Sequence, residues 1–311
     1  MIGYSDTTYA FTGTTNWMRA LAILIINSSD FDTQNIHEKF KGITRNSSNQ
    51  HQELLVFEYI IMAYHNHVAL VRNLELNSQP YDTCRSAIVS WYYSIYFSCS
   101  AMIAAKDGTK QETHTLTAKV WKNQLVDRGR IISPFSFSLN SLVSKKVEEE
   151  ISTLRGSNQN NLLVTPETVE QAKGAIYSYL SGSAAYEKGK AESEIKSKEL
   201  KALGVSDFRT MAAREIRDTR LNNKKVSFLH QAFRYRGKVN YRDFLFLTYG
   251  EDNTSAIIQL MEDLKTVSEA FQQMSAGYIK AKINKDSWNL FYNDLTENSR
   301  LSVTPAYLFG E

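Results

Sequence analysis

Cysteine and proline are both scarce in this chain: two of the first and four of the second in 311 residues. Cys84 and Cys99 fall in one expected helix, about 22 Å apart at 1.5 Å per residue, too far for a bridge within one molecule. That excludes a disulfide-stapled scaffold and implies a reducing, cytoplasmic setting. The four prolines, Pro80, Pro134, Pro166 and Pro305, leave long stretches free for helix. Alternating strand patterns, Asn-Gly hairpin signals and repeats of fixed period are missing, which excludes the common β and solenoid classes. No CxxC or HExxH spacing occurs, so no metal site is expected. No GxGxxG, GxxxxGK[ST] or GxSxG occurs either, and no cofactor is expected. The formal net charge is only +3, so a nucleic-acid role requires a local cluster of bases. No signal peptide is expected at the start.

What is present is one long uncharged run, SAIVSWYYSIYFSCSAMIAA, from Ser86 to Ala105 between Arg85 and Lys106. Its length suits a membrane span. Its composition suits a buried helix better. Ser86, Ser90, Ser94 and Ser98 recur every fourth residue and form a slowly drifting small-residue ridge. The hydroxyls of Tyr92, Tyr93 and Tyr96 need partners that a protein core supplies and lipid does not. No second run of this kind is expected, and membrane association is not.

Helical periodicity covers most of the chain. A first helix is expected to be capped by Thr14 or Thr15 and to bury Trp17, Met18, Leu21 and Ile25. Helices are expected near 33–41 and 52–76. Pro80 opens and Asp107-Gly108 closes the helix holding the uncharged run. Further helices are expected near 112–126, from Pro166 to about 203, and near 207–221, 226–236, 254–283 and 288–295. The stretch VNYRDFLFLTY (239–249) is taken as helix. The fold class is all-α, a helical bundle with a helical insertion or side lobe. Residues 1–140 plus 226–311 form the core, and 141–225 the insertion.

The strongest charge feature runs from 209 to 242. It holds Arg209, Arg214, Arg217, Arg220, Lys224, Lys225, Arg234, Arg236, Lys238 and Arg242 against only Glu215 and Asp218. Arg214, Arg217 and Arg220 share a helix face, and His230, Arg234 and Lys238 follow at fourfold spacing. Such an array can bind phosphates while Phe233, Tyr235 and Tyr241 stack on bases. Equally, these charges can pair with acids in 187–199 or face water. His65 and His67 are two apart on a helix and point to opposite sides, so they make no metal pair. His114, in QETHTLTAKVW, begins a helix and reads first as a structural histidine.

The segment YDTCRSAIVSWYYSIYFSCSAMIAAKDG, followed by ETHTLTAKVWKNQLVDRGRI, resembles the central helix pair of HEPN domains of the nucleotidyltransferase-associated type. The features that carry the resemblance are Trp91, Tyr92, Tyr93, Tyr96, Gly108, Thr113 and His114. FRYRGKVNYRDFLFL resembles the segment before that family's last helix, here 254–283. The resemblance implies an all-helical, often dimeric module of a bacterial defence or toxin–antitoxin system. Many members are metal-independent ribonucleases with an Arg followed, after four residues, by His. This chain departs from that pattern: Ser90, Phe135 and Tyr241 stand at that spacing from Arg85, Arg130 and Arg236.

The expectation is a HEPN-like module that binds RNA or another phosphate-bearing partner through Arg214, Arg217, Arg220, Lys224, Lys225, Arg234, Arg236, Lys238 and Arg242, without the usual ribonuclease site. A second copy of the chain and a protein encoded nearby are further expected partners. Were there cleavage, His114 or His230 would move the proton and Arg234 or Arg236 would hold the phosphate. Two alternatives stay open: a structural or interaction protein using the serine ridge as its interface, and a divergent nuclease with an acid pair.

Overall fold

Twelve α-helices, three short 3-10 or π segments and one two-stranded ribbon make up the regular structure of the described residues, 4–47, 49–75, 79–241 and 252–309 of a computed structural model. In chain order the helices are α1 (Tyr4–Ile26), α2 (Thr33–Phe40), α3 (Gln50–Glu75), α4 (Pro80–Asp107), α5 (His114–Trp121) and α6 (Ser144–Arg155). Then come α7 (Val169–Ile195), α8 (Met211–Asn222), α9 (Phe228–Tyr241), α10 (Thr254–Lys282), α11 (Lys285–Asn298) and α12 (Pro305–Phe309). The ribbon pairs β1 (Ser138–Leu139) with β2 (Val226–Ser227), antiparallel. The protein is all-α.

The uncharged run is the axis of the bundle. Pro80 sits in the first turn of α4, and Gly108 ends the helix in the left-handed conformation at φ 75°. Every residue from Ser98 to Ala105 is buried, as a helix apolar on all sides requires. α3, α5, α9 and α10 pack around it. The serine ridge lets α10 come close. Ser94 Oγ lies 2.8 Å from Ser268 Oγ, and Ser275 Oγ donates to the Ser98 carbonyl at 3.2 Å. That part of the ridge is therefore spent inside one chain. The polar connection before α3 and the first turn of α3 cap the far end. Asn46 and Gln52 amides donate to the Ala105 and Ala104 carbonyls at 2.7 and 2.8 Å.

Several expectations need correction. α1 begins before Thr14 and Thr15, which lie inside it. Thr15 Oγ1 bonds back to the Phe11 carbonyl at 3.1 Å, the arrangement that lets threonine sit mid-helix. α7 begins after Thr168, not at Pro166, because Thr168 and Gln171 form a complete capping box. α3 is a second helix long and apolar enough to cross a membrane; its most apolar window is 44% buried, against 78% for α4. The ribbon was not expected, since two-residue strands leave no periodicity. The expected helix at 239–249 lies outside the described residues beyond Tyr241.

The ribbon brings the two ends of segment 141–225 together. α7 then serves two clusters. Ala172, Ala175, Ile176 and Tyr179 join the main core, where the Tyr179 ring stacks on Trp17 at 4.2 Å. Leu180, Ala184 and Ala191 pack with Leu142, Ile151 and Leu221 in a smaller cluster.

At the other end of the bundle α2 crosses α10 at Gly277. A Cβ there would stand 2.2 Å from Ile36 Cγ2. The Gly277→Ala variant is expected to lose about 1–3 kcal/mol, because the β-branched Ile36 has little freedom to yield. Urea unfolding of the variant against the parent chain measures it.

Candidate functional site

α4 turns at Gly108, and the chain returns to start α5 beside its own aromatic face. Thr113 caps α5 by accepting from the Leu116 amide at 3.3 Å, which fixes His114 as the first helical residue. His114 Nδ1 then lies 2.8 Å from Tyr92 Oη. The imidazole packs 4.5 Å from the Tyr96 ring and stacks on Phe233 of α9 at 5.1 Å. Burial and, after it, the Arg236 guanidinium hold His114 below the usual imidazole range. Burial pushes the Tyr92 phenol upward, so it keeps its proton. His114 is therefore held toward its neutral form and shares a hydrogen bond through Nδ1 with the Tyr92 hydroxyl.

Arg236 completes the cluster. Its guanidinium carbon lies 5.1 Å from the centre of the Tyr92 ring, 5.4 Å from Phe233 and 5.8 Å from Tyr93. The residue is only 8% exposed. Among the described residues it has no carboxylate, carbonyl or hydroxyl partner. Nε is sealed and unpartnered, whereas the two terminal nitrogens are not sealed. Guanidinium is the cation best suited to such faces, since it stacks and is weakly hydrated. Yet a largely buried charge with no acceptor among the described residues is costly. An anion reaching the terminal nitrogens would relieve that cost.

The other sequence-chosen residues separate into groups. His230 lies apart from His114. Its Nδ1 is 2.9 Å from Ser227 Oγ, and burial drives its pKa down to about 4. Arg220 pairs with Glu199 at 3.0 Å, Lys224 with Glu194 at 3.4 Å and Arg217 with Asp218 at 2.7 Å. Arg214 donates to the Phe208 carbonyl. Lys225 bonds Asp127 at 2.7 Å, and the buried Lys122 bonds the same carboxylate. Burial alone would raise the Asp127 carboxyl, but those two lysines outweigh it and hold it low. Arg234 reaches Ser183 Oγ at 3.1 Å and lies over the rings of Tyr186 and Tyr179. Lys238 is half-buried on α9, and Arg242 lies outside the described residues.

Of the candidates, the fold thus unites His114 with Arg236. It adds Tyr92 as the partner of His114, a pairing across 22 residues of sequence. It also adds Arg85, seven residues before Tyr92 on α4, which donates to Asn240 Oδ1 at 3.4 Å. Seven residues along a helix is about 10 Å, so Arg85 lies up the same α4–α9 groove. The identical residue type and helix face were the available signals for Arg85.

Chemically the cluster pairs a cation with aromatic faces. Arg236 offers N–H groups, His114 adds its Nε2 edge, and Tyr93 and Phe233 stand at the edge as half-buried rings. Compared with protein-family models, curated proteins and solved structures, the chain matches none.

Proposed function

We propose that this chain is a HEPN-like helical module that binds RNA, or another phosphate-bearing partner, at Arg236, His114 and the rings of Tyr93 and Phe233. We assign it to the bacterial defence or toxin–antitoxin setting of the modules it resembles. The observation that carries the reading is Arg236: a buried guanidinium held over three rings with no acid beside it among the described residues. Aromatic faces accept bases of any sequence, and the guanidinium accepts a phosphate oxygen. The basic residues from Arg217 to Lys225 take a structural part, since their charges are answered by Glu194, Glu199, Asp218 and Asp127.

The test is fluorescence anisotropy of a labelled single-stranded RNA across a salt series. Arg236→Met is expected to bind about tenfold to a hundredfold more weakly, the worth of one charge-assisted contact. Its salt slope is expected to fall by about 0.7, one phosphate contact on a single strand. Arg220→Ala and Lys224→Ala are expected to bind like the parent chain. Equal binding by Arg236→Met, or equal losses at Arg220 and Lys224, would overturn the assignment.

A further inference from the structure

A second concavity lies where α2 crosses the end of α10 and meets the start of α11 and α12. It is a cleft of about 870 Å³. Its wall is apolar: Ile36, Phe40, Trp288 and Phe309 are buried there, and Gly277 contributes no side chain. Its rim is basic: Lys41, Arg45, Lys280 and Lys285 line it beside His37, and among the described residues no Asp or Glu does. Two of these charges have local work. Lys41 pairs with Glu38, and Arg45 donates to the Lys280 carbonyl at 2.8 Å, closing the end of α10. Lys285 is exposed and has no carboxylate partner among the described residues.

Clefts of roughly 300–1,000 Å³ with an apolar lining and a few polar groups are the usual size and character of small-molecule sites. The wall and rim here specify different halves of one ligand. Phe40 and Trp288 are 1% and 0% exposed, so neither offers an open ring face for stacking a base. Of the neutral polar side chains along the cleft, Thr33, Gln34 and Gln273, the last already donates to the Tyr307 carbonyl at 3.3 Å. What suits the wall is a saturated chain, which gains by burial alone. What suits the rim is one negative head group.

We infer that this cleft binds a small anionic amphiphile, an alkyl or acyl chain ending in a carboxylate or phosphate. The site is separate from the Arg236 cluster and shares no residue with it. The ligand enters as a free molecule rather than as part of a bilayer, because the wall is concave and a flat lipid surface would meet only its rim.

Tryptophan fluorescence reads the cleft selectively. Of Trp17, Trp91, Trp121 and Trp288, the last lines it. The full chain is titrated, below micelle formation, with dodecanoate, dodecyl phosphate, dodecyltrimethylammonium and inorganic phosphate. Dodecanoate and dodecyl phosphate are expected to give saturable signals, and decanoate a roughly tenfold weaker one, the worth of two methylenes. The cationic amphiphile is expected to bind about tenfold more weakly than dodecanoate. Lys285→Glu is expected to narrow or reverse that preference. Trp288→Phe is expected to lose the fluorescence change while calorimetry still detects binding, which separates loss of the reporter from loss of the fold.

Equal affinity for the two head-group charges overturns the inference, as does a Lys285→Glu variant that still prefers the anion to the full extent. Inorganic phosphate binding as tightly as dodecyl phosphate removes the role of the apolar wall. Sedimentation with anionic phosphatidylglycerol vesicles, at concentrations where dodecanoate gives no signal, removes the free-molecule reading.

Discussion

Trp91→Ala is expected to cost about 3–5 kcal/mol, the range for deleting a fully buried aromatic side chain. Trp91 is 0% exposed at the middle of α4. Its ring meets Tyr235 at 5.5 Å, Trp17 at 6.1 Å and Phe228 at 6.4 Å, so it ties α1 and α9 to the axis. Its indole nitrogen is sealed and has no hydrogen-bond partner. Removing the ring therefore sacrifices packing and strands no polar partner. Against the total stability of a typical domain, about 5–15 kcal/mol, such a loss is a large share. Urea unfolding should show a much lower midpoint with little change of slope. Trp91→Phe is expected to keep most of the stability. An alanine variant as stable as its parent would mean that α4 does not hold the bundle together.

The second large effect is acid lability through His67. This imidazole is fully buried on α3, with Nδ1 2.9 Å from Ser268 Oγ and Nε2 without a hydrogen bond, 3.9 Å from Glu269 Oε1. Burial, assisted by Lys265, drives its pKa from 6.5 to about 4. Because the folded value lies below the unfolded one, the unfolded chain takes up the proton first as pH falls. The stabilisation is whole above about 6.5 and is lost progressively down to about 4. A gap of that size corresponds to about 3 kcal/mol. His230 titrates in the same direction. Glu269 and Asp263 work the other way, since burial raises both carboxyls. Comparing His67→Gln with the parent isolates the histidine. The parent is expected to lose about 3 kcal/mol more than the variant between pH 6.5 and 4. Parallel pH profiles would show that His67 does not titrate with unfolding.

What was legible in the sequence was carried by local punctuation and composition. Pro80 and Gly108 bound α4, and a run without charge has nowhere to go but inward. The serine ridge was visible, yet its partner was not, because Ser268 lies 174 residues from Ser94. Thr14 and Thr15 misled because threonine caps a helix and also sits within one by bonding backward. The basic stretch shows the same limit. Arg220 and Arg236 are indistinguishable in a charge count. They differ because Glu199 comes alongside one, while three aromatic rings surround the other. Short pairings such as Thr113 with Leu116 leave a local signature; the meeting of His114 with Tyr92 and Arg236 needs the turn at Gly108 and the docking of α9. The cleft was wholly hidden, because its lining comes from four helices and the segment after α2, and its basic residues are scattered between His37 and Lys285.

The Nε–H resonance of Arg236 tests the anion site most directly, followed by NMR as a diribonucleotide phosphate is added. The account predicts a signal shielded by the rings of Tyr92, Tyr93 and Phe233, slow to exchange with water, that shifts on titration together with the His114 ring. An Arg236 signal exchanging freely with solvent, or unmoved while Arg220 and Lys224 respond, would contradict it.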